Sequence, residues 1–169
     1  MAILNILTYP NPILRRTCEK VDKIGQIERE LIANLIETMF AAPGAGLAAS
    51  QVGVPVRIMV VNLSDEQHPG QALALINPQI LEQDGEMLVA EEGCLSIPDY
   101  LSDVKRYSYI RLRYSDAEGN LLEIEGRDYL ARVFQHEIDH LNGTLFIDHL
   151  GRIKRDLVKR RLMKKAKTG

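Results

Sequence analysis

The stretch His136-Glu137-Ile138-Asp139-His140 lies in a run where Leu130, Val133, Phe134, Ile138 and Leu141 recur at helical spacing. A helix that is apolar over so broad a face is expected to be buried. Two histidines and a glutamate on such a helix must find partners there, because buried polar groups without them are costly. The fold therefore has to be built around this segment. Residues four apart share a helix face, about 5–6 Å apart at Cβ, so His136 and His140 can aim both imidazoles at one ion. Glu137 is turned about 100° from His136. That position is poor for joining the same coordination face but good for reaching a water held there, as a general base must. The combination points to metal-assisted hydrolysis.

A catalytic ion of this kind takes three protein ligands and keeps a fourth position open. In one peptidase class the pattern continues His-x-x-Gly-x-x-His; Gly143 is present here, but Phe146 stands where the third histidine would be. A downstream glutamate, as in thermolysin-like peptidases, is excluded because no Glu occurs from Leu141 to Gly169. Asp148 and His149 could serve only if the short Leu145-Phe146-Ile147 run folded back on the helix. Upstream, Glu91-Glu92-Gly93-Cys94-Leu95-Ser96-Ile97-Pro98 sets a cysteine between Gly93 and Pro98, a turn that can deliver a thiol to one place. A lone cysteine is more often a small buried apolar residue. The incomplete pair of histidines favours Cys94 as the third ligand.

Three segments together resemble the peptide deformylases. Gly44-Ala45-Gly46-Leu47-Ala48-Ala49-Ser50-Gln51 matches Gly-x-Gly-x-Ala-Ala-x-Gln, Glu92 to Ser96 matches Glu-Gly-Cys-Leu-Ser, and Gln135 to His140 matches Gln-His-Glu-x-Asp-His. They occur in that family's order and spacing, and the likeness runs from Tyr9-Pro10-Asn11-Pro12 to the basic C-terminal segment. The resemblance implies a metal-dependent hydrolase that removes the formyl group from the N-terminal formyl-methionine of newly made polypeptides and releases formate. It implies Cys94, His136 and His140 as metal ligands and Glu137 as the group that moves the proton. It gives the Gln51 side chain and the Leu95 backbone N–H to the developing oxyanion. Gly44, Ala45, Gly46, Glu92 and Gly93 are implied to border the substrate. The implied ion is divalent: ferrous iron (Fe2+) in the cell, with zinc, nickel or cobalt possible in the purified protein. Ala45 and Ser50 stand where many members have Ile and Thr, and Leu101 where many bacterial members carry an arginine that contacts the peptide. Peptide preference beyond methionine is therefore open.

At 169 residues, with 46% hydrophobic and 26% charged, one core and one domain over residues 1–169 are expected. Cys18 and Cys94 are the only cysteines, so a thiolate ligand leaves no disulfide, which fits a reducing, cytoplasmic setting. No basic segment followed by a long apolar run opens the chain, and no stretch is long enough to span a bilayer. Neither DNA nor a membrane is expected as a partner.

The spacing of Ile27, Leu31, Ile32, Leu35, Ile36, Met39 and Phe40 predicts a helix over Gln26 to Ala41, stopped by Pro43-Gly44. Val56 to Leu63, Leu73 to Leu81 and the segment holding Tyr107, Tyr109, Leu112 and Tyr114 read as strands, with a hairpin turn at Asp116 to Asn120 before Leu121 to Glu125. Runs of strands and separate helices favour an α+β fold, mainly antiparallel β-sheets packed around the central His-Glu-x-x-His helix, with an N-terminal and a C-terminal helix. The C-terminal helix, about residues 150–166, is basic. From Gly151 to Gly169 there are nine Lys or Arg against Asp156 alone, so a chain of net charge −2 holds about −10 in its remainder. Leu150, Ile153, Leu157 and Val158 are expected to dock it, leaving a cationic face for an anionic partner. The resemblance implies that this partner is the ribosome. Two other function classes compete: a general metallopeptidase, against which the missing third zincin ligand counts, and a non-catalytic ribosome or RNA binder, against which the acidic remainder counts.

Overall fold

The apolar period before Pro43 becomes helix α1, Gln26–Ala41, in the computed structural model, which describes residues 2–168. Its first turn is closed by Glu28, whose carboxylate accepts the Gly25 N–H at 2.8 Å. Five strands follow: β1 (Gly46–Ala48), β2 (Ile58–Asn62), β3 (Ala72–Cys94), β4 (Ile97–Ser115) and β5 (Leu121–Arg127). They pair in chain order as one antiparallel sheet, each strand joined to the next along the chain. Helix α2, Tyr129–Leu141, then carries the His-Glu-x-x-His segment, and α3, Arg152–Thr168, closes the chain.

Strand β2 explains how two helices share one sheet. Ile58 and Val60 pack with Leu35 and Met39 of α1, whereas Met59 and Val61 pack with Phe134, Ile138 and Leu141 of α2. Alternate side chains of a strand point to opposite faces, so a strand apolar at four consecutive positions is covered on both. The α+β expectation is met, with one difference: among the described residues there is a single sheet instead of several. Strand β3 runs well past the Leu81 boundary expected from its apolar residues, because Glu82, Gln83 and Asp84 stay paired with β4 while exposed, and pairing resumes at Met87. Such a stretch has no burial pattern to announce it. Register shifts between Ile76 and Gln79, Ile80 and Glu82, Asp84 and Met87, and Glu92 and Cys94 interrupt the long β3–β4 ladder, and each such irregularity bends a strand and raises its twist.

The third apolar cluster, with Leu14, Ile97, Val104 and Phe146, seats α3 through Leu150, Val158 and Leu162. Here the structure corrects the expected docking face. Leu150 and Val158 are buried as expected, but Ile153 and Leu157 are 79% and 58% exposed. Val158 and Leu162 form one i,i+4 pair and Ile153 and Leu157 another, about a quarter-turn away; only the first meets the body.

Candidate active site

Three elements converge on α2. The β3–β4 hairpin turns at Leu95-Ser96, with Cys94 opposite Ile97 in register, and so presents its thiol to the helix. Strand β1 and the 3₁₀ turn Ala49–Val52 bring Gly46 and Gln51 to the same place. The sulfur of Cys94 and one ring nitrogen each of His136 and His140 all lie within 4.8 Å of one another, and Cys94 Sγ is 3.3 Å from His140 Nε2. One thiol and two imidazoles form a donor set suited to a tetrahedral divalent ion with an open corner. Asp148, the local alternative, is turned to Arg15 and Lys159 instead.

Glu137 is 3% exposed, and its Oε2 has no hydrogen-bond partner among the described residues. Burial pushes its carboxyl up to about 7, where a proton can be both taken and returned near neutral pH. Burial also drives His140 well below its usual value. For His136 burial acts in the same sense, but hydrogen bonding to Cys94 and Glu92 outweighs it and holds the imidazole well above. The close packing of Glu137 accounts for one glycine: a Cβ on Gly46 would stand 2.8 Å from Glu137 Cγ. Only a residue without a side chain lets β1 come this near.

Gln51 is held by both ends of its amide. Its Oε1 accepts the Ala48 N–H at 2.9 Å, and its Nε2 donates to Ser96 Oγ at 3.1 Å and faces Cys94 Sγ at 3.7 Å. Gln51 is 1% exposed and Ser96 fully buried. A cavity of about 430 Å³ opens over this group, lined by Gly44, Ala45, Gly46, Glu92 and Gly93, by Cys94, Gln51 and Glu137, and on the helix side by Tyr129, Arg132 and Val133. His140 is not part of its wall. Leu101 lies over Gly93, where a Cβ would come within 2.6 Å of its Cδ2, and is 60% exposed.

One expectation is redirected. Glu92 borders the cavity, but its carboxylate is spent inward instead of facing a ligand. Arg106 donates from Nε and Nη2 at 2.9 Å each, Arg132 from Nη1 at 2.6 Å, and His136 Nδ1 lies at 2.9 Å. Burial alone would raise the Glu92 carboxyl; the Arg106 and His136 hydrogen bonds overcome it and hold the group well below the usual carboxylate range. Arg106 also reaches Asp139 at 2.7 Å, and Asp139 accepts from His149 at 2.8 Å. Sequence reasoning missed Arg106 and Arg132, which carry no local signature and whose partners Glu92 and Asp139 are 14 to 40 residues away along the chain; Asp139 lay within the Gln135 to His140 motif but was given no role. Ser96 was within reach, since it ends the Glu92 to Ser96 motif.

A family model described as polypeptide deformylase matches residues 3–156. A peptide deformylase from Bartonella tribocorum is 46% identical over 99% of this chain and 95% of its own length, and one from Rhizobium meliloti is 46% identical over 99% and 97%. Among solved structures, a peptide deformylase from Ehrlichia chaffeensis in complex with actinonin superposes with a TM-score of 0.91 at 41% identity, covering 98% of each chain. One from Acinetobacter baumannii with Met-Ala-Ser bound gives 0.81 at 31% identity, over 88% of this chain and 98% of that one. With three motifs gathered at one cavity and relatives aligned end to end, the chain belongs to the polypeptide deformylase family.

Proposed function

We propose that this chain, acting as a single unit over residues 1–169, removes the formyl group from N-terminal formyl-methionine of nascent polypeptides, with Cys94, His136 and His140 holding the divalent ion. The observation that carries this reading is a thiol and two imidazoles within 4.8 Å beside a buried carboxylate that has an unpartnered oxygen, in a chain of the deformylase family. The relative with Met-Ala-Ser bound supports the same substrate class. The ion is ferrous iron in the cell, and zinc, nickel or cobalt fill the same donor set in purified protein. When bound, it supplies Lewis-acid activation of a water and of the formyl oxygen.

The chain's own groups do the rest. Glu137 takes the proton of the attacking water and returns it to the departing amine nitrogen, a cycle suited to a carboxyl near 7. The Gln51 amide, clamped with its N–H2 toward Cys94, and the Leu95 backbone N–H donate to the oxygen that gains charge, each such donor contributing about 3 kcal/mol in other acyl-transfer enzymes. Glu92 holds His136 in one orientation through Nδ1, as carboxylates do for metal-binding histidines. Gly44, Ala45, Gly46 and Gly93 border the cavity that takes the substrate. Formate and a free N-terminus leave.

The test is formate release from formyl-Met-Ala-Ser by protein prepared without oxygen and loaded with iron, zinc, nickel or cobalt. Turnover should be highest with iron, fall when a chelator strips the ion, and return when iron is restored. Absence of formate with every ion, or turnover indifferent to chelation, refutes the reading.

The setting proposed with this activity is the cytoplasm, at the ribosome. Among the described residues no helix is long and apolar enough to cross a membrane. The outer face of α3 sets Ile153 and Leu157 among exposed cations that include Lys154 and Arg160, which is suited to a ribosomal surface. Reversing two charges (Lys154→Glu with Arg160→Glu) should weaken cosedimentation with ribosomes at low salt. Undiminished cosedimentation would count against that partner.

A further inference from the structure

Two loops far apart in the chain carry the groups assigned to the developing oxyanion: Gln51 on the 3₁₀ turn Ala49–Val52, and the Leu95 N–H on the β3–β4 turn. Both are tied through their backbones to one N-terminal segment. Leu7 N–H donates to the Gln51 carbonyl at 2.7 Å, and Tyr9 N–H to the Ser96 carbonyl at 2.8 Å. Their side chains meet where Gln51 Nε2 donates to Ser96 Oγ at 3.1 Å, and both residues are buried.

The direction of the Gln51 amide is set at its other end. A backbone N–H can only donate, so the Ala48 N–H at 2.9 Å requires Oε1 on its side and leaves the NH2 group toward the hairpin. That group has two hydrogens. One is taken by Ser96 Oγ, and the second is left toward Cys94 Sγ at 3.7 Å, beside the catalytic cavity that Gln51 and Cys94 both line. The last torsion of a glutamine is soft, so Ala48 alone holds one point of the amide and not its plane. We infer that Ser96 is a positioning residue for the reaction: its hydroxyl occupies one N–H of Gln51 and thereby aims the other at the oxyanion. The inference rests on the deformylase reading and on the part Gln51 plays in it. A neutral acceptor suits the place, since a carboxylate there would oppose the negative charge that Gln51 is to stabilise. Ser96 itself need touch no reacting atom. It acts through Gln51.

A hydroxyl that served only to satisfy a buried N–H would support the fold alone, and kinetics separate the two roles. Formate release from formyl-Met-Ala-Ser by iron-loaded protein is compared for Ser96→Ala, Gln51→Ala, the double variant and Ser102→Ala, with each rate divided by the bound metal and the melting temperature recorded. Ser102→Ala deletes another buried hydroxyl of the same hairpin, one with no hydrogen-bond partner among the described residues. Removing an oxyanion donor costs about 10²- to 10³-fold in kcat, the loss expected for Gln51→Ala; Ser96→Ala should lose about 5- to 30-fold, because the donor is loosened and not removed. With Gln51 already Ala, the Ser96 substitution should change kcat by less than about twofold, since groups that act as a unit are not additive. The affinity of Ser96→Ala for the product Met-Ala-Ser, which lacks the formyl oxygen, should match the wild type, as should kcat in Ser102→Ala. Wild-type kcat in Ser96→Ala, the same loss with and without Gln51, a loss confined to Met-Ala-Ser affinity or to melting temperature, or an equal kcat loss in Ser102→Ala overturns the role. Wild-type kcat in Gln51→Ala removes Gln51 and Ser96 together. Failure of the deformylase reading shows separately, as no formate from the wild type with any ion.

Discussion

Glu137→Gln is expected to release formate about 10²- to 10⁴-fold more slowly than the wild type, the range over which a positioned proton-transfer group contributes. The substitution keeps size and shape in a site where Glu137 is 3% exposed and Gly46 leaves no room for anything larger. Helix α2 and the neighbouring thiol and imidazoles should therefore stay in place. What disappears is the ability to take a proton from water and give it to the amine. The loss should fall on kcat with little change in KM, because the group acts on the transition state and not on substrate binding. Steady-state formate release, measured beside the metal content and the melting temperature of the same preparation, checks this. Turnover close to the wild type with the ion retained would remove Glu137 from the mechanism.

The largest effect on stability is expected at Glu92. Two guanidiniums and an imidazole converge on its carboxylate, and Glu92, Arg106 and Arg132 are all under a tenth exposed. Removing one partner of such a group leaves buried charge uncompensated and destabilises by about 3–5 kcal/mol, a large part of the roughly 5–15 kcal/mol that holds a domain together. Glu92→Gln should thus lower the denaturation midpoint sharply. It should also loosen His136, seen as faster loss of the ion to a chelator under conditions where both proteins remain folded. The pH dependence has a definite sign. Because the folded-state pKa of Glu92 lies below that of the unfolded chain, about 4.5, its contribution is complete above that pH and is lost as acid protonates the group. The wild type should lose its advantage over the variant as pH falls below about 4.5. A variant as stable as the wild type at neutral pH would show that the cluster contributes nothing net.

Much of this site was legible in the residues because its parts are local. The spacing of His136 and His140 on an apolar-periodic helix and the turn around Cys94 are short-range patterns, and α1 came out with the expected Gln26–Ala41 bounds. The polar turn Asp116 to Asn120 likewise separates β4 from β5, closed by Asn120 N–H donating to Asp116 at 2.9 Å. What was not legible depends on long-range register. Strand β3 continues through exposed polar residues because β4 pairs with it, and hydrogen bonds between backbones leave no mark on side-chain pattern. The resemblance set Glu92 beside the substrate; that its carboxylate serves Arg106, Arg132 and His136 follows from the β3–β4 pairing and the packing of α2. On α3, Ile153 with Leu157 and Val158 with Leu162 are equivalent pairs in the sequence. The choice between them is made by the cluster around Phe146 and Ile97, which no pattern within α3 records.

X-ray absorption at the zinc edge of reconstituted protein addresses the central claim most directly, because it counts the atoms around the ion without relying on turnover. One sulfur at about 2.3 Å and two imidazole nitrogens at about 2.0–2.1 Å, with a light oxygen scatterer completing four-coordination, is the expected first shell. The sulfur should vanish in Cys94→Ser. A shell of nitrogen and oxygen alone in the wild type, or a sulfur that survives that substitution, would contradict the assignment of Cys94, His136 and His140 as the ligands.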